Sequence, residues 1–292
     1  MSTDDNIPGT VTIGGDLTVG NIGYGAMQLT GPKVWGEYPD HDKGVALLRE
    51  AVAEGVTFLD TADVYGPHSN EELIKEALHP YPDNLVIASK GGFLRGGPEY
   101  SDMGATGNKW YLRQAAYMSM RRLGLDRIDL YYLHTPAFTD VPFEQAVETL
   151  AGMKQDGLIR HIGLSNVSAD QLRTALAITD IAAVTVHYNV AVRLGAAVRA
   201  VAVDKGIVFS PWHPGAVPDG APFHAVIDPI AVMYDATPQQ IALAWQLHRT
   251  PNALPIPGTT SVRHLKENLA AAHIPLADEE VAAITALASE ES

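Results

Sequence analysis

The chain has 292 residues, of which 46% are hydrophobic and 18% are charged; it carries a net charge of -14 and has no cysteine. The missing thiols exclude disulfides, thiolate nucleophiles and zinc–cysteine sites, and the negative charge disfavours nucleic acid and anionic membranes as partners. The sequence predicts no membrane span, because it has no run of about 18 apolar residues. It predicts no signal peptide, because no apolar segment follows its acidic start, and we therefore expect a cytoplasmic protein.

Two short β-like runs come first, at 10–13 and 17–19, and Gly14-Gly15-Asp16 joins them. Short apolar runs separated by glycines and an aspartate predict a hairpin. Such a hairpin could close the bottom of a barrel or form an ordinary edge of a sheet.

Apolar segments and segments of helical period then alternate to the end of the chain. The strand candidates are 21–27, 56–60, 85–89, 128–134, 159–164, 182–188, 207–210 and 253–256. The helix candidates are 43–53, 71–78, 111–123, 143–155, 169–178, 195–203, 238–248 and 262–271, with a last one at 278–287. Eight strands, each followed by a helix and without a break in composition, predict a single (β/α)8 barrel domain over 1–292, with the hairpin before it and a short extra helix after it.

A doubly wound sheet is the alternative to the barrel. Its signature is a G-x-G-x-x-G pattern that opens the first helix. Gly23 and Gly25 instead lie within the first strand candidate and Gly20 lies directly before it, and a long loop follows the strand. The sequence therefore favours the barrel.

Ionisable side chains stand where three consecutive strand candidates end. Asp60 ends the second, Lys90 follows the third and His134 ends the fourth. Tyr65 lies in the loop after the second strand. Because the carboxyl ends of barrel strands carry the chemistry of such folds, we expect these four side chains to share one site.

The four residue types suit the reduction of a carbonyl group. The pKa of tyrosine, near 10, is high for a proton donor at neutral pH, and an adjacent ammonium from Lys90 would lower it. Asp60 would hold Lys90 in place, and His134 would orient a carbonyl oxygen that becomes an alkoxide. The hydride must come from a nicotinamide, since side chains cannot supply it.

Two other enzyme classes are open at this point. Lys90 at a strand end could form a Schiff base as in a lyase, although an ion-paired lysine is a poor amine nucleophile. A metal hydrolase is disfavoured, because Asp60 and His134 alone do not make a ligand cluster, and we expect no metal.

Six segments resemble motifs of the aldo-keto reductase family, and the resemblance covers nearly the whole chain. They are 25–28, 58–66, 87–90, 132–136, 162–166 and 256–259. The resemblance implies that the four residues above are the family's catalytic tetrad, with Tyr65 as the proton donor. It also implies that the protein binds NADPH in an extended pose, lacks a Rossmann domain and reduces an aldehyde or ketone. A non-catalytic nucleotide-binding subunit is the alternative within the family.

The resemblance implies a set of cofactor-binding residues as well. They are Gly25, Ala26, Met27, Ser165, Asn166, Phe209, Ser210, Pro211, Trp212, Gly258, Thr259, Ser261, His264, Glu267 and Asn268. Ser165 and Asn166 match the pair that binds the carboxamide. Phe209 takes the place of a tyrosine that stacks on the nicotinamide, and residues 258–261 open a helix whose backbone N–H groups can hold phosphate.

The sequence departs from the family pattern at two cofactor positions. Thr185 stands where a Gln usually contacts the nicotinamide, and His264 stands where relatives often carry Arg or Gln at the 2′-phosphate. Arg263 lies beside it, but Arg263 and Lys266 are equally explained as a solvated helix face. NADPH is still favoured over NADH.

Aromatic side chains in loops at the carboxyl end predict a pocket for a planar or apolar aldehyde. The candidates are Trp35, Tyr38, Phe93, Phe138, Trp212 and His213. Each of them could instead pack within its own loop. Segments 25–32 and 65–68 resemble pyridoxal-reducing members of the family, so pyridoxal is a substrate hypothesis. The sequence gives no indication of the oligomeric state.

Overall fold

The structure is a computed structural model that describes residues 9–289. The prediction that there is no signal peptide concerns the acidic start of the chain, which lies outside the described residues. The strands are β1 (Thr10–Ile13), β2 (Leu17–Gly20), β3 (Tyr24–Gly25), β4 (Phe58–Asp60), β5 (Val86–Gly91), β6 (Phe93–Arg95), β7 (Met103–Ala105), β8 (Ile128–Leu133), β9 (Ile159–Ser165), β10 (Ala183–His187) and β11 (Val208–Trp212). The α-helices are α1 (His41–Ala53), α2 (Ser69–Leu78), α3 (Lys109–Leu123), α4 (Phe143–Gln155), α5 (Ala169–Leu176), α6 (Ala196–Lys205), α7 (Ala221–Met233), α8 (Pro238–Arg249), α9 (Val262–Ala270) and α10 (Asp278–Thr285). Short 3-10 turns lie at Ala26–Gln28, Pro32–Val34, Tyr100–Asp102 and Ala271–His273.

A parallel sheet in the order β3-β4-β5-β8-β9-β10-β11 forms the barrel wall. Segment 252–257, where the eighth strand was predicted, closes the ring: the Leu254 N–H donates to the Phe209 carbonyl at 2.8 Å, and the Gly23 N–H donates to the Pro255 carbonyl at 3.0 Å. Prolines cannot donate to a strand ladder, so this closure consists of separate bonds rather than a regular strand. The (β/α)8 prediction is confirmed, and the doubly wound alternative is wrong because the strand order runs around the sheet without a reversal.

The β1–β2 hairpin closes the bottom of the barrel. The two strands pair antiparallel, with Ile13 opposite Leu17. Both side chains are buried and pack with Phe58 and Leu130 from the barrel interior. The hairpin is therefore a floor of apolar side chains and not an ordinary sheet edge.

Several elements differ from the sequence prediction. β3 has two residues instead of seven, because the chain passes directly into a 3-10 turn at Ala26–Gln28. The β6–β7 hairpin was missed because each of its strands has only three residues, with no fully buried position in either. Helix α7 was missed because Pro229 lies inside it and proline is unfavourable in a helix interior. None of the helices within 9–289 combines the length and apolarity that a bilayer crossing needs.

Candidate active site

The four predicted catalytic side chains meet at the carboxyl ends of β4, β5 and β8. Lys90 Nζ lies 2.5 Å from Asp60 Oδ2 and 3.3 Å from the Tyr65 hydroxyl. The rings of Tyr65 and His134 stand edge to face, with centroids 5.9 Å apart. Parallel pairing of neighbouring strands brings these ends to one rim, so residues far apart in sequence become a single cluster.

Lys90 is a fixed and charged ammonium. Its Nζ also donates to the Thr61 carbonyl at 2.8 Å, and the side chains of Lys90 and Asp60 are only 3% and 5% exposed. Burial acts to lower the pKa of Lys90, but the charges of Asp60 and Tyr65 outweigh it and raise that pKa. An ammonium that donates to three fixed acceptors is not a free amine, which opposes the Schiff-base alternative.

Tyr65 is protonated at neutral pH in this environment. Burial raises the pKa of Tyr65 above its ordinary value, and the Lys90 ammonium acts in the opposite direction. The direction predicted for the effect of Lys90 is confirmed. The net shift of the Tyr65 pKa is nevertheless upward, because burial is the larger cause.

His134 is a neutral imidazole. Burial, and after it the Lys90 ammonium, holds the pKa of His134 well below its usual range. The Phe93 ring packs edge to face on it, with centroids 4.7 Å apart. A neutral imidazole donates through one nitrogen, so His134 can supply one hydrogen bond to an oxygen in the site.

A cavity of about 240 Å³ opens above these residues. Beside the four polar side chains its wall is largely apolar, and it includes Val34, Phe93, Met103 and Trp212. Phe93 and Trp212 lie where the sequence placed them. Val34 and Met103 were missed, because they come from a 3-10 turn and a short hairpin strand that carry no periodic signal.

Part of the wall of this cavity is polar. Ser165, Asn166 and Thr185 line it. Thr185 is 1% exposed, and its hydroxyl has no hydrogen-bond partner within residues 9–289. Because buried polar groups are normally satisfied, an unpaired hydroxyl in a cavity wall fits a polar group of a bound molecule.

A groove continues from this cavity along the rim of the barrel. A second cavity, of about 350 Å³, shares Met27 and Trp212 with the first and extends to Gly258 and Asn268. A Cβ on Gly258 would lie 2.9 Å from the Gly25 carbonyl oxygen, so glycine is needed for this close approach of two segments. The shared lining residues connect the two cavities into one groove.

The far end of the groove lies at the start of α9. This third cavity, of about 400 Å³, is lined by Thr259, Arg263, His264 and Glu267. Ser261 caps the helix, since its hydroxyl accepts a hydrogen bond from the His264 N–H. The free N–H groups and the positive dipole end of a helix favour phosphate at this position.

Most of the predicted cofactor residues line one of these three cavities. They are Gly25, Met27, Ser165, Asn166, Trp212, Gly258, Thr259, His264, Glu267 and Asn268. Ala26 does not, because it is buried and its carbonyl accepts a hydrogen bond from Asn70 Nδ2 at 2.9 Å.

Comparison with known proteins explains this arrangement. The chain matches the model of the aldo/keto reductase family over residues 21–218 and 222–289. The chain belongs to this family. It is 40% identical over 285 residues to the pyridoxine 4-dehydrogenase of Escherichia coli, which covers 94% of this chain and 97% of that protein.

Two further relatives agree with this assignment. An uncharacterized oxidoreductase of Schizosaccharomyces pombe is 41% identical over 279 residues, which covers 95% of this chain and 89% of that protein. The crystal structure of an aldo/keto reductase from Klebsiella pneumoniae in complex with NADP and acetate has a TM-score of 0.78 at 26% identity and covers 96% of this chain and 95% of that one.

Three residues of β11 in this aldo/keto reductase lie elsewhere than predicted. Phe209 is fully buried, and its ring packs against Tyr188 with centroids 5.4 Å apart. The Ser210 hydroxyl donates to a carbonyl of the closing segment at 2.8 Å, and Pro211 is buried outside the three cavities. The stacking prediction for Phe209 is wrong because side chains alternate across a strand, and it is Trp212, three residues on, that faces the cavities.

The predicted pocket residues are also corrected in part. Phe138 is 8% exposed and packs in the core against α3 and α4, beside Gly107, so it is not a pocket residue. Trp35 lies outside the first cavity, where its ring is 5.2 Å from the Arg95 guanidinium. Tyr38 packs against α1. In each case a local packing partner was available that the sequence did not reveal.

Proposed function

We propose that this aldo/keto reductase uses NADPH to reduce an aldehyde or ketone to an alcohol, with Tyr65 as the proton donor. The observation that supports this most strongly is the position of Lys90 Nζ, 2.5 Å from Asp60 Oδ2 and 3.3 Å from the Tyr65 hydroxyl at the base of one cavity. The cofactor assignment is supported by two related structures from Klebsiella pneumoniae, described as complexes with NADP and with NADPH.

Each of the four side chains has its own role in the proposed reaction. A bound nicotinamide supplies the hydride. Neutral His134 donates a hydrogen bond to the carbonyl oxygen and polarises it. Tyr65 gives its proton to the developing alkoxide, and the Lys90 ammonium stabilises the tyrosinate that is left. Asp60 keeps Lys90 in place and charged throughout.

The groove suggests which residues hold the cofactor. Ser165 and Asn166 would bind the carboxamide beside the catalytic residues, with the unpaired Thr185 hydroxyl as a further contact. The N-terminus of α9 would hold a phosphate. Arg263 and His264 would meet a 2′-phosphate, since both line the third cavity and their side-chain nitrogens lie 2.8 Å apart.

Replacing Arg263 with Ala is expected to raise the Kd for NADPH about tenfold or more, because hydrogen bonds to a charged group contribute about 1.5–3 kcal/mol. The Kd for NADH should change less than about threefold, since that dinucleotide has no phosphate at this position. Fluorescence titration of both cofactors gives the two constants. Lys266→Ala is the control on the same helix, because Lys266 pairs with Glu50 and Glu54 and does not line the third cavity. Equal losses for NADPH and NADH in Arg263→Ala would contradict the assignment.

We further propose pyridoxal as the substrate. The apolar cavity of about 240 Å³ has the size of a single-ring aldehyde, and the E. coli relative that is 40% identical is named for its action on pyridoxine. We expect kcat/KM for pyridoxal to exceed that for benzaldehyde and other single-ring aldehydes by about tenfold or more, a difference of roughly 1.4 kcal/mol in transition-state binding. Steady-state kinetics at saturating NADPH test this, and an equal or higher value for the generic aldehydes would remove pyridoxal from the proposal.

A carbonyl panel also separates the reductase from the non-catalytic alternative. NADPH binding with no turnover of any carbonyl compound would favour a nucleotide-binding subunit. Turnover of several aldehydes with release of NADP would exclude that reading.

A further inference from the structure

Trp212 stands where the catalytic cavity and the cofactor groove meet. It lines both of them. Its indole N–H donates a hydrogen bond to Asn166 Oδ1 at 3.0 Å. Its ring also lies flat against the imidazole of His187, with centroids 4.0 Å apart and planes inclined by only 10°. Two contacts on different parts of the indole therefore fix its plane.

Sheet register brings His187 and Trp212 together. They are the last residues of β10 and β11, and they pair directly in the parallel ladder. Side chains of paired residues on adjacent strands point to the same face, so the two rings are stacked by the backbone itself. His187 lies outside the lining of both cavities, so it supports the indole from behind.

His187 supports the indole as a neutral ring. Burial, and after it the neighbouring His213, lowers the pKa of His187. Asn189 Nδ2 lies 3.4 Å from His187 Nε2 and also donates to the His213 carbonyl at 3.2 Å. The imidazole is therefore held at its edge as well as at its face.

The contact of Trp212 with Asn166 extends this arrangement to the catalytic residues. Asn166 Nδ2 donates to Ser165 Oγ at 3.0 Å and to the His134 carbonyl at 3.3 Å. Asn166 has a φ of 58°, in the left-handed region that asparagine adopts more readily than most other non-glycine residues. A tilt of the indole would withdraw the donor from Asn166 Oδ1 and loosen the amide proposed to bind the carboxamide.

We propose that His187 is a positioning residue that fixes the plane of Trp212, and through Trp212 the amide of Asn166, in the wall shared by the cofactor and the carbonyl substrate. The inference rests on the proposed function, because it assigns the Asn166 side of the cavity to the nicotinamide. His187 covers one face of the indole, so the cavities meet the other face and the ring edge. Because this wall is ordered before binding, the binding free energy is not reduced by the entropy lost when side chains become ordered.

The test compares His187→Ala with His187→Phe, which keeps a flat ring behind the indole. NADPH fluorescence titration should give a Kd about threefold to tenfold higher for His187→Ala, because the indole and the amide must then be ordered on binding. His187→Phe should stay within about twofold of the wild type. In the cofactor-free protein, the near-UV circular dichroism of His187→Ala should lose a band that Trp212→Phe also removes, and His187→Phe should keep it.

Two results would overturn the inference. One is a wild-type Kd and a wild-type near-UV spectrum in His187→Ala. The other is an equal loss in His187→Ala and His187→Phe, which would mean that the imidazole and not a flat support is required. A wild-type protein that binds NADPH but reduces no carbonyl compound would contradict the proposed reductase, while the binding constants and spectra of the variants would still decide the role of His187.

Discussion

Replacing Tyr65 with Phe is expected to lower kcat for carbonyl reduction by about 100- to 10,000-fold, the usual contribution of a positioned proton donor. The ring and its edge contact with His134 remain in this variant, and only the hydroxyl that meets Lys90 is lost. The Kd for NADPH should therefore stay within about threefold of the wild type. Stopped-flow measurement of NADPH oxidation with saturating aldehyde gives kcat, and a fluorescence titration gives Kd.

Tyr131→Phe is the matched control. Tyr131 is fully buried, its hydroxyl has no hydrogen-bond partner in the described part of the chain, and it packs in the core between the sheet and the helices, outside the lining of the three cavities. Its kcat should equal that of the wild type. Turnover near the wild-type rate in Tyr65→Phe would remove Tyr65 from the donor role.

The pH dependence of the reaction rate is an independent test of Tyr65 as the proton donor. Reduction needs Tyr65 protonated, so its rate should fall as pH rises through the apparent pKa of the Tyr65–Lys90–Asp60 cluster. Alcohol oxidation needs the tyrosinate, so its rate should rise through the same pH. Because burial raises the pKa of Tyr65, reduction should be at full rate around neutral pH. Tyr65→Phe should lack this step in its residual activity.

Replacing Lys90 with Met is expected to reduce both activity and stability. The variant leaves the Asp60 carboxylate, 5% exposed, without its ionic partner, and removal of one member of a buried ion pair costs about 3–5 kcal/mol. It also removes the charge that stabilises the tyrosinate, so kcat should fall by about 100-fold or more. Urea unfolding at pH 7 measures the free energy of unfolding, and steady-state kinetics measure kcat.

The double variant Asp60→Asn/Lys90→Met separates the two effects. A neutral amide no longer buries an unpaired charge, so most of the lost free energy of unfolding should return. The activity should not return, because the ammonium is still missing. Recovery of activity in the double variant would show that Lys90 acts only by holding Asp60, contrary to the proposed mechanism.

The fold was predictable because its signal is repeated along the chain. Apolar strand candidates and helical periods alternate, and each strand-end residue follows an apolar run. The cluster of Asp60, Lys90 and His134 followed from this, since parallel strands present their carboxyl ends at one rim. Alternation predicted the eighth strand at 253–256 but not its irregular pairing, in which two prolines leave separate hydrogen bonds instead of a ladder.

The details that the sequence did not reveal depend on which face of a strand each residue occupies and on rare backbone dihedral angles. Phe209 and Trp212 differ by three positions on one strand, so they face opposite sides of the sheet and only one reaches the cavities. The contact of His187 with Trp212 depends on the pairing of β10 with β11. Val34 reaches the cavity with a φ of 59°, which is rare for a β-branched residue. No sequence pattern predicts this backbone conformation at a valine.

The β1–β2 hairpin insulates the site from the opposite end of the barrel. Ile13 is fully buried among interior side chains such as Phe58, so apolar side chains fill the floor beneath the site. The medium beneath Lys90 is therefore poorly polarisable, which strengthens its attraction to Asp60 and adds to the burial that raises the pKa of Tyr65. A hairpin that lines none of the three cavities contributes in this way to the raised pKa of the proposed proton donor. A tag or truncation that disturbs the hairpin near residue 10 would therefore also change the pKa of Tyr65.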